Sequence, residues 1–383
     1  MSSLPPLRRE RAILVGVCRA RADRAVVDEH LAELAELATT AGARVVGTVV
    51  QDRGAASAAT LLRSGKVEET AALARERQAD LVVFDEDLSP AQVRNLERAI
   101  PAKIVDRSAL ILDIFALRAR TREARTQVEL AQLRYLLPRL TRQWTHLSRQ
   151  EGGIGQRGVG ETQLELDRRL IRRRIGRLAE DLRDIEKERG ERRKHRHDMT
   201  VALIGYTNAG KSTILNQLTG AGTLVEDRLF ATLDPLVRRC TRGGRPPFLV
   251  IDTVGFIRKL PHHLVASFRS TLEEAGDADL LLHVVDVSSP ALADHMKTVR
   301  ETIETLGLAD RPVLVVFNKI DRVVEAVIDR LRDEFPDAVF MSALDPAHAD
   351  LLEQKVRGVR RDLAAPSGAL RYRDVAAGDG GRA

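Results

Sequence analysis

The sequence is poor in cysteine, with only Cys18 and Cys240 among its 383 residues. The two stand far apart in the chain, so they provide neither a disulfide framework nor the close spacing of a cysteine metal site. Cysteines that are not used as cross-links are typical of a reducing compartment. We therefore expect a cytoplasmic protein.

Long apolar segments and aromatic residues are scarce as well. No run approaches the roughly 20 apolar residues of a membrane-spanning helix, and the N-terminus lacks the cleavage pattern of a secretory signal. Aromatic residues make up 3% of the chain, too few for a surface that stacks the bases of a single strand on a row of rings. We expect no transmembrane segment and no such stacking surface.

Charge, in contrast, is plentiful and unevenly distributed. The net charge is +6, from 61 Lys and Arg against 55 Asp and Glu. Residues 113–198 hold 22 of the basic and 14 of the acidic residues, so this segment carries +8 and the rest of the chain −2. Because 20 of those 22 are Arg, which binds phosphate in a bidentate manner, the pattern favours contact with RNA over an ordinary solvated helix face.

The first 112 residues alternate β-branched apolar runs with helical patterns. The runs are 11–17, 44–50, 80–84 and 103–105, and the helical patterns are 28–42, 66–78 and 89–100. Strands that alternate with helices predict a small parallel sheet covered by helices.

Residues 113–198 predict a helical hairpin. Apolar residues recur every seven positions, which is a heptad pattern: they are Leu164, Ile171, Leu178 and Ile185, with Ile175 and Leu182 between them. A helix over 113–147, bent at Pro138, is predicted to precede them. The intervening segment 148–162 is rich in glycine and predicts the flexible tip of two antiparallel helices.

The third region, 199–361, returns to apolar strands separated by helical patterns, and 362–383 predict a flexible tail. The predicted strands are 199–205, 247–252, 278–287, 311–319 and 337–343. The fold class is therefore α/β with a helical hairpin between two sheet domains.

A phosphate-binding loop follows the first of these strands. Gly205 to Ser212 read G-x-x-x-x-G-K-S, in the strand–loop–helix context that this motif requires. Backbone N–H groups of the loop surround the phosphates at the helix N-terminus, and Lys211 is expected at the β- and γ-phosphates as a catalytic residue. The residues expected to bind the nucleotide here are Gly205, Asn208, Ala209, Gly210, Lys211, Ser212 and Thr213.

A magnesium site is predicted beside this loop. Asp252 ends the next long apolar strand, and Ser212 and Thr232 supply hydroxyls, so these three are the expected Mg²⁺ ligands. Gly255, in Asp-Thr-Val-Gly, is expected to contact the γ-phosphate through its backbone N–H. We assign Thr232 and Gly255, with Lys211, to catalysis.

Guanine specificity is predicted from residues at and just after the ends of the last two predicted strands, 311–319 and 337–343. Asn318-Lys319-Ile320-Asp321 follow an apolar run, and Asn318, Lys319 and Asp321 are expected to bind the nucleotide. The Asp321 carboxylate can accept hydrogen bonds from N1–H and the exocyclic amine of guanine. Adenine offers no such pair of donors, so GTP is preferred over ATP. A backbone N–H of Ser342 or Ala343 is expected at guanine O6. The third domain is thus predicted to be a Ras-like P-loop G domain.

Beyond these motifs, the chain resembles the HflX GTPases of the TRAFAC class. The segments that carry the resemblance are 64–69, 80–97, 118–124, 127–140, 152–169, 229–235, 252–257 and 260–275. The resemblance implies a monomer that binds the large ribosomal subunit and its RNA, but not DNA, through hairpin 113–198. It implies dissociation of stalled or idle ribosomes, particularly under heat stress, with the tip directed at the peptidyl-transferase centre.

Two positions bear on turnover. Phe256 stands where Ras-like GTPases carry a Gln that orients the attacking water, so slow intrinsic hydrolysis and stimulation by a partner are expected. Asn208 either helps to bind a K⁺ ion near the β/γ bridge, as in related GTPases, or only stabilises the loop. After Ala343 the sequence lacks the glycine-containing turn usual in the family.

Three alternative functions remain open at this point. A ribosome-assembly GTPase would recognise precursor particles rather than whole ribosomes. A nucleotide-gated RNA-binding module would not need hydrolysis for its action. An ATP-dependent RNA helicase, an activity attributed to some members of the family, would not depend on Asp321.

Overall fold

The protein is described here by a computed structural model. It describes residues 9–18, 24–52, 57–140, 159–194, 198–222, 228–241, 246–259 and 276–363. The chain forms two compact units: Met1–Leu117 with Arg125–Arg183, and Arg118–Ala124 with Asp184–Ala383. The proposed domain boundaries after residues 112, 198 and 361 stay predictions.

The first unit contains a four-stranded parallel sheet in the order β2-β1-β3-β4. Its strands are β1 (Arg11–Cys18), β2 (Arg44–Asp52), β3 (Leu81–Phe84) and β4 (Lys103–Asp106). Helices α1 (Arg24–Thr40), α2 (Ser64–Glu76) and α3 (Pro90–Ala99) connect them. The predicted α/β architecture is confirmed. The central strands β1 and β3 are buried except at Arg11 because helices cover the sheet.

Three further helices follow the first sheet: α4 (Arg107–Arg118), α5 (Arg122–Leu136) and α6 (Val159–Lys194). The single helix predicted over 113–147 is wrong, because α4 begins before residue 113 and a new helix begins after Thr121. Thr121 Oγ1 accepts a hydrogen bond from the backbone N–H of Ala124 at 3.1 Å, which is the contact of a helix N-cap. α5 ends at Leu136, so the helix stops before Pro138 and does not continue through a bend there as predicted.

Helices α5 and α6 pack along the predicted apolar seam. Leu130 of α5 is buried with Leu178 and Leu182 of α6, and Leu133 and Ile175 pack beside them. Glu129 pairs with Arg174 and the earlier Glu123 pairs with the later Arg189, as an antiparallel arrangement requires. Of the predicted tip 148–162, residues 148–158 lie outside the described residues.

The second unit contains a six-stranded sheet in the order β10-β9-β8-β5-β7-β6. Its strands are β5 (Thr200–Gly205), β6 (Leu236–Cys240), β7 (Phe248–Asp252), β8 (Leu280–Asp286), β9 (Val313–Asn318) and β10 (Val339–Phe340). Its helices are α7 (Lys211–Thr219), α8 (Leu292–Thr305), α9 (Glu325–Glu334) and α10 (Pro346–Leu363). Only the edge strand β6 runs antiparallel.

Strand β6 is the one strand of this sheet that we did not predict. It is five residues long and contains the exposed Arg238 and Arg239, so its apolar pattern is weak. The predicted tail 362–383 lies outside the described residues from 364 onward. Among the residues that are described, no helix is long and apolar enough to cross a membrane.

Candidate nucleotide-binding site

Four parallel strands of the second unit end in polar residues or in the phosphate loop. The terminal residues are Gly205 of β5, Asp252 of β7, Asp286 of β8 and Asn318 of β9. β5 lies between β7 and β8, and its loop leads directly into α7 at Lys211. Open α/β sheets bind ligands at this carboxyl edge, so the motifs converge where a site is expected.

Two glycines allow the phosphate loop to pack closely. Gly205 and Gly210 both have positive φ, 149° and 96°. A Cβ at Gly205 would lie 2.2 Å from the carbonyl oxygen of Val284, and one at Gly210 would lie 2.2 Å from Nδ2 of Asn318. Any side chain at either position would therefore displace the loop from the neighbouring strands.

Lys211 is buried under this loop. Its Nζ donates to the backbone carbonyl oxygens of Gly205 at 3.2 Å and Tyr206 at 2.8 Å. Burial lowers the pKa of Lys211 to about 8, although the Asp252 carboxylate acts in the opposite direction. An ammonium group that is desolvated and bonded to neutral carbonyls is well suited to receive phosphate oxygens.

The three predicted magnesium ligands lie together. Asp252 Oδ2 accepts hydrogen bonds from Ser212 Oγ at 2.6 Å and Thr232 Oγ1 at 3.0 Å, and the two hydroxyl oxygens are 3.0 Å apart. Burial raises the pKa of Asp252 against the effect of Lys211. The other carboxylate oxygen, Oδ1, is buried and accepts no hydrogen bond within the described residues. These hard oxygen donors fit a Mg²⁺ ion.

The three residues assigned to catalysis line one small cavity of about 60 Å³, together with the phosphate loop. They are Lys211, Thr232 and Gly255. A Cβ at Gly255 would lie 2.8 Å from Cα of Thr207 and 3.1 Å from Nζ of Lys211. The absence of a side chain at Gly255 thus keeps space beside the lysine.

Phe256 is part of the core. Its side chain is 2% exposed and packs with Ile204 and Ile251. Its backbone N–H donates to Gly205 at 3.0 Å and its carbonyl accepts from Thr207 at 2.8 Å. The backbone of Phe256 therefore holds the phosphate loop, and its buried ring cannot orient a water molecule.

Asn318 joins three parts of the site. Its Nδ2 donates to the carbonyl of Ala209 at 2.8 Å, and its Oδ1 accepts from the backbone N–H of Ala343 at 2.9 Å. The Ser342 N–H donates to His348 Nδ1 at 3.3 Å. The asparagine thus ties the phosphate loop to the segment after β10. The expected contact of Ser342 or Ala343 with guanine O6 stays a prediction.

Asp321 follows Asn318 by three residues and lies at the protein surface. It is exposed and lines an open cavity of about 630 Å³ with Ile320, Ser342 and His348. Lys319 has a φ of 66°, in the left-handed region, and its Nζ lies 2.7 Å from Asp286 Oδ2. The carboxylate of Asp321 is thus accessible to a base, as its predicted role requires.

The remaining loop residues are placed as follows. Asn208 has a φ of 60° and Ala209 is buried, while Thr213 follows Ser212 in the first turn of α7. Asparagine tolerates left-handed φ better than most residues, so this geometry accounts for its place in the loop. The binding of K⁺ by Asn208 stays a prediction.

Two residues that support the site from outside its cavity were missed in the sequence. The ring of Tyr206 stacks on His295 of α8 at a centroid distance of 3.7 Å, and its hydroxyl accepts a hydrogen bond from the Arg258 N–H at 2.9 Å. Asp234, two residues after Thr232, accepts a hydrogen bond from the backbone N–H of Arg120 at 2.9 Å. The phosphate-loop motif leaves the position of Tyr206 variable, and Asp234 binds residues distant in sequence, so no local pattern indicates either one.

Family models match three successive regions of the chain. They are described as GTP-binding GTPase N-terminal at residues 28–116, GTP-binding GTPase Middle Region at 118–196 and 50S ribosome-binding GTPase at 200–319. Together they span both units and include the loops of the nucleotide site up to Lys319.

Similar proteins are known from several bacteria. GTPase HflX of Caldanaerobacter subterraneus subsp. tengcongensis is 51% identical over 316 residues, which cover 82% of this chain and 73% of that protein. GTPase HflX of Alkalihalophilus pseudofirmus is 46% identical, covering 97% and 86%. GTPase HflX of Escherichia coli is 47% identical, covering 82% and 75%.

Among solved structures, SsGBP in complex with GDP is similar in fold. It has a TM-score of 0.51 and 24% identity, with 93% of this chain and 99% of that chain covered. The predicted family is therefore confirmed: with 46–51% identity to these relatives over 82–97% of its length, this chain belongs to the HflX family and is a GTPase.

Proposed function

We propose that this GTPase binds the large ribosomal subunit in the cytoplasm as a monomer and uses GTP to dissociate stalled or idle ribosomes. In this proposal the hairpin formed by α5, α6 and the tip 148–162 contacts ribosomal RNA, and the tip is directed at the peptidyl-transferase centre. The observation that carries the proposal is a row of arginines on α6.

This arginine row consists of Arg169, Arg173 and Arg177, with Arg172 beside it. Residues four positions apart lie along one side of a helix, and all four side chains are exposed. None of them makes an ion pair with any described part of the chain. These guanidinium groups therefore lie together on one exposed side of α6, where they can bind RNA phosphates.

The comparisons support the same partner. The model that matches 200–319 is described as a 50S ribosome-binding GTPase, and the +8 charge of 113–198 lies outside that match. With few aromatic residues in the chain, contact with RNA depends mainly on Arg and phosphate and on the shape of the RNA. Binding should therefore weaken steeply with salt.

In the nucleotide site, Ser212, Thr232 and Asp252 would hold a Mg²⁺ ion. When bound, Mg²⁺ neutralises charge on the β- and γ-phosphates. Lys211 adds a second positive charge there, and Asp321 selects guanine. Because no side chain at position 256 orients water, hydrolysis is slow until a partner completes the site. A K⁺ ion held near Asn208 would add charge at the β/γ bridge, and faster turnover in K⁺ than in Na⁺ tests that assignment.

Sedimentation of whole ribosomes with the full chain tests the proposal. GTP should convert intact ribosomes into subunits, whereas GDP should not. Deletion of 152–160 should abolish splitting while GTP binding is retained. Splitting that proceeds unchanged without residues 152–160 would contradict the assigned role of the tip.

A matched set of variants tests the arginine row. Replacing Arg169, Arg173 and Arg177 by Gln should reduce the slope of log affinity against log salt by roughly 2 to 3, because each lost phosphate contact lowers that slope by 0.7–0.9. Replacing the exposed Arg75, Arg77 and Arg98 by Gln removes the same charge outside the hairpin and should leave the slope unchanged. Equal effects of the two triple variants would refute a specific contact through α6.

The same experiments separate the alternatives. A ribosome-assembly role predicts precursor peaks on depletion and no splitting by the added protein. Full splitting over repeated rounds with a non-hydrolysable GTP analogue would favour an RNA-binding module. RNA unwinding that is driven by ATP and unaffected by Asp321→Asn would favour a helicase.

A further inference from the structure

The segment 228–234, which we call the switch segment, contains Thr232 and has no helix or strand within it. Because no helix or strand hydrogen bonds fix this segment, its position depends on contacts with the rest of the unit. Leu229, Phe230 and Leu233 are buried, and Phe230 has a φ of 54°. A bulky residue in the left-handed region is strained, so the segment keeps this shape only while its contacts with the rest of the unit persist.

Two of these contacts are polar, one at Thr232 and one at Asp234. Thr232 is bonded to Asp252 and Ser212, as described above. The Asp234 carboxylate accepts hydrogen bonds from the backbone N–H groups of Arg120 at 2.9 Å and Thr121 at 3.3 Å. It also accepts one from the Thr121 hydroxyl. Three donors from the turn between α4 and α5 thus meet one carboxylate of the switch segment.

The start of α5 is itself well fixed. Thr121 caps the helix through the N–H of Ala124, and a carboxylate such as Asp234 is favoured at a helix N-terminus by the helix dipole. Glu123, in the first turn of α5, pairs with Arg189 near the end of α6 at 2.9 Å. All these residues belong to the second unit. Asp234 is therefore attached to a firm support.

We propose that Asp234 is a positioning residue that holds Thr232 at the Mg²⁺ site by anchoring the switch segment to the start of α5. Two residues of extended chain span at most about 7 Å, so fixing position 234 restricts where the Thr232 hydroxyl can lie. Conversely, a nucleotide that displaces Thr232 should also displace the first turn of α5, which is one of the two helices of the hairpin. This inference rests on the proposed role of Thr232 as a Mg²⁺ ligand.

The first measurement is the Mg²⁺ concentration that half-saturates GTP turnover. Asp234→Ala should raise it roughly tenfold, because supports of metal ligands are worth 10- to 100-fold in affinity, with kcat at saturating Mg²⁺ changed less than about twofold. Asp234→Asn should restore most of the wild-type value, since its amide oxygen still accepts the two backbone N–H groups. Asp279→Asn is the matched control: Asp279 accepts the N–H of Thr200 at the opposite edge of the sheet.

The second measurement is hydrogen exchange of the full chain. In the wild type, a non-hydrolysable GTP analogue with Mg²⁺ should change exchange of the amides at 120–124 as well as those of the phosphate loop. In Asp234→Ala only the phosphate loop should respond. Because Asp234→Ala removes the acceptor of the Arg120 and Thr121 N–H groups, exchange at these two amides should rise in the variant even without nucleotide. A purely structural defect would instead raise exchange in the buried strands β5 and β8 as well, and it would not be corrected by added Mg²⁺.

Thr232→Ala separates the failure of this inference from that of the Mg²⁺ assignment. If Thr232→Ala raises the Mg²⁺ requirement and Asp234→Ala leaves both measurements at wild-type values, Asp234 has no positioning role and the Mg²⁺ site stands. If Thr232→Ala leaves the Mg²⁺ requirement unchanged, the Mg²⁺ assignment and this inference are both wrong.

Discussion

The two sheets of this protein both carry charged residues at the carboxyl ends of their parallel strands but use them differently. In the first unit, Arg107 after β4 pairs with Asp85 at 2.7 Å and with Glu33. Asp106 there accepts from Arg139 at 2.9 Å and Tyr135 at 2.8 Å. The charges at this edge are neutralised within the protein.

The corresponding edge of the second unit leaves charge for a ligand. Lys211 is buried with two neutral carbonyls as hydrogen-bond acceptors, and one oxygen of Asp252 accepts no hydrogen bond from the described residues. The carboxyl ends of parallel strands therefore form a place where a ligand can bind. Whether charged groups there remain available to a ligand depends on whether neighbouring side chains already neutralise them. Substitution in the first unit should accordingly change stability, and substitution in the second should change activity.

The largest effect is expected for Arg107→Met. It leaves Asp85 and Glu33 buried without their cation, which costs about 3–5 kcal/mol of the free energy of unfolding. Urea titration followed by hydrogen exchange in peptides of the first unit measures this change. Arg24→Met, at an exposed arginine that pairs with Asp28 and Asp52, should have little effect; an equally stable Arg107→Met protein would contradict the comparison.

Next in size is Lys211→Ala. Removing a cation placed where charge develops lowers turnover by about 100- to 1000-fold, whereas the melting temperature should stay equal or rise because a desolvated ammonium is gone. Steady-state GTP hydrolysis and thermal melting measure the two effects. The exposed Lys297→Ala serves as the control. Unfolding of the second unit by Lys211→Ala would show that this edge, too, is structural.

A smaller effect is expected for Asp321→Asn. Losing a pair of hydrogen bonds to a base edge weakens GTP binding by about 1–3 kcal/mol. Xanthosine triphosphate carries a carbonyl where guanine has its amine, so the variant should bind it better than the wild type does. Competition binding measures both nucleotides, with Asp329→Asn on α9 as the control. Unchanged preference for guanine would remove Asp321 from the site.

The smallest effect is the dependence of GTP affinity on pH. The pKa of Lys211 is about 8 without nucleotide, and bound phosphate raises it, so binding takes up a proton above pH 8. Affinity should be constant below pH 8 and fall by up to about tenfold per pH unit above it. Titrations between pH 7 and 9 test this, and Lys211→Arg should give a flat profile because Arg stays protonated. A flat wild-type profile would contradict the low pKa.

Much of the fold could be predicted because its signals are local. Of the ten strands in the described part of the chain, nine carry apolar, β-branched runs, and the heptad residues Leu178 and Leu182 are buried as expected. The break before α5 could not be predicted, since it depends on Thr121 and its distant partner Asp234. The edge strand β6 was also missed, because pairing with β7 rather than its own residues makes it a strand.

The sequence by itself determined the family, through the segments that resemble the HflX GTPases. It also determined the nucleotide class and the residue types of the site, because the motif spacings are chemical requirements of binding GTP. Only the tertiary structure decided which groups remain available. It buried Phe256 in the core, bonded Asn318 to the loops on either side of it, and joined Asp234 to the start of α5. Those roles arise from residues that are far apart in the chain, so no local pattern contains them.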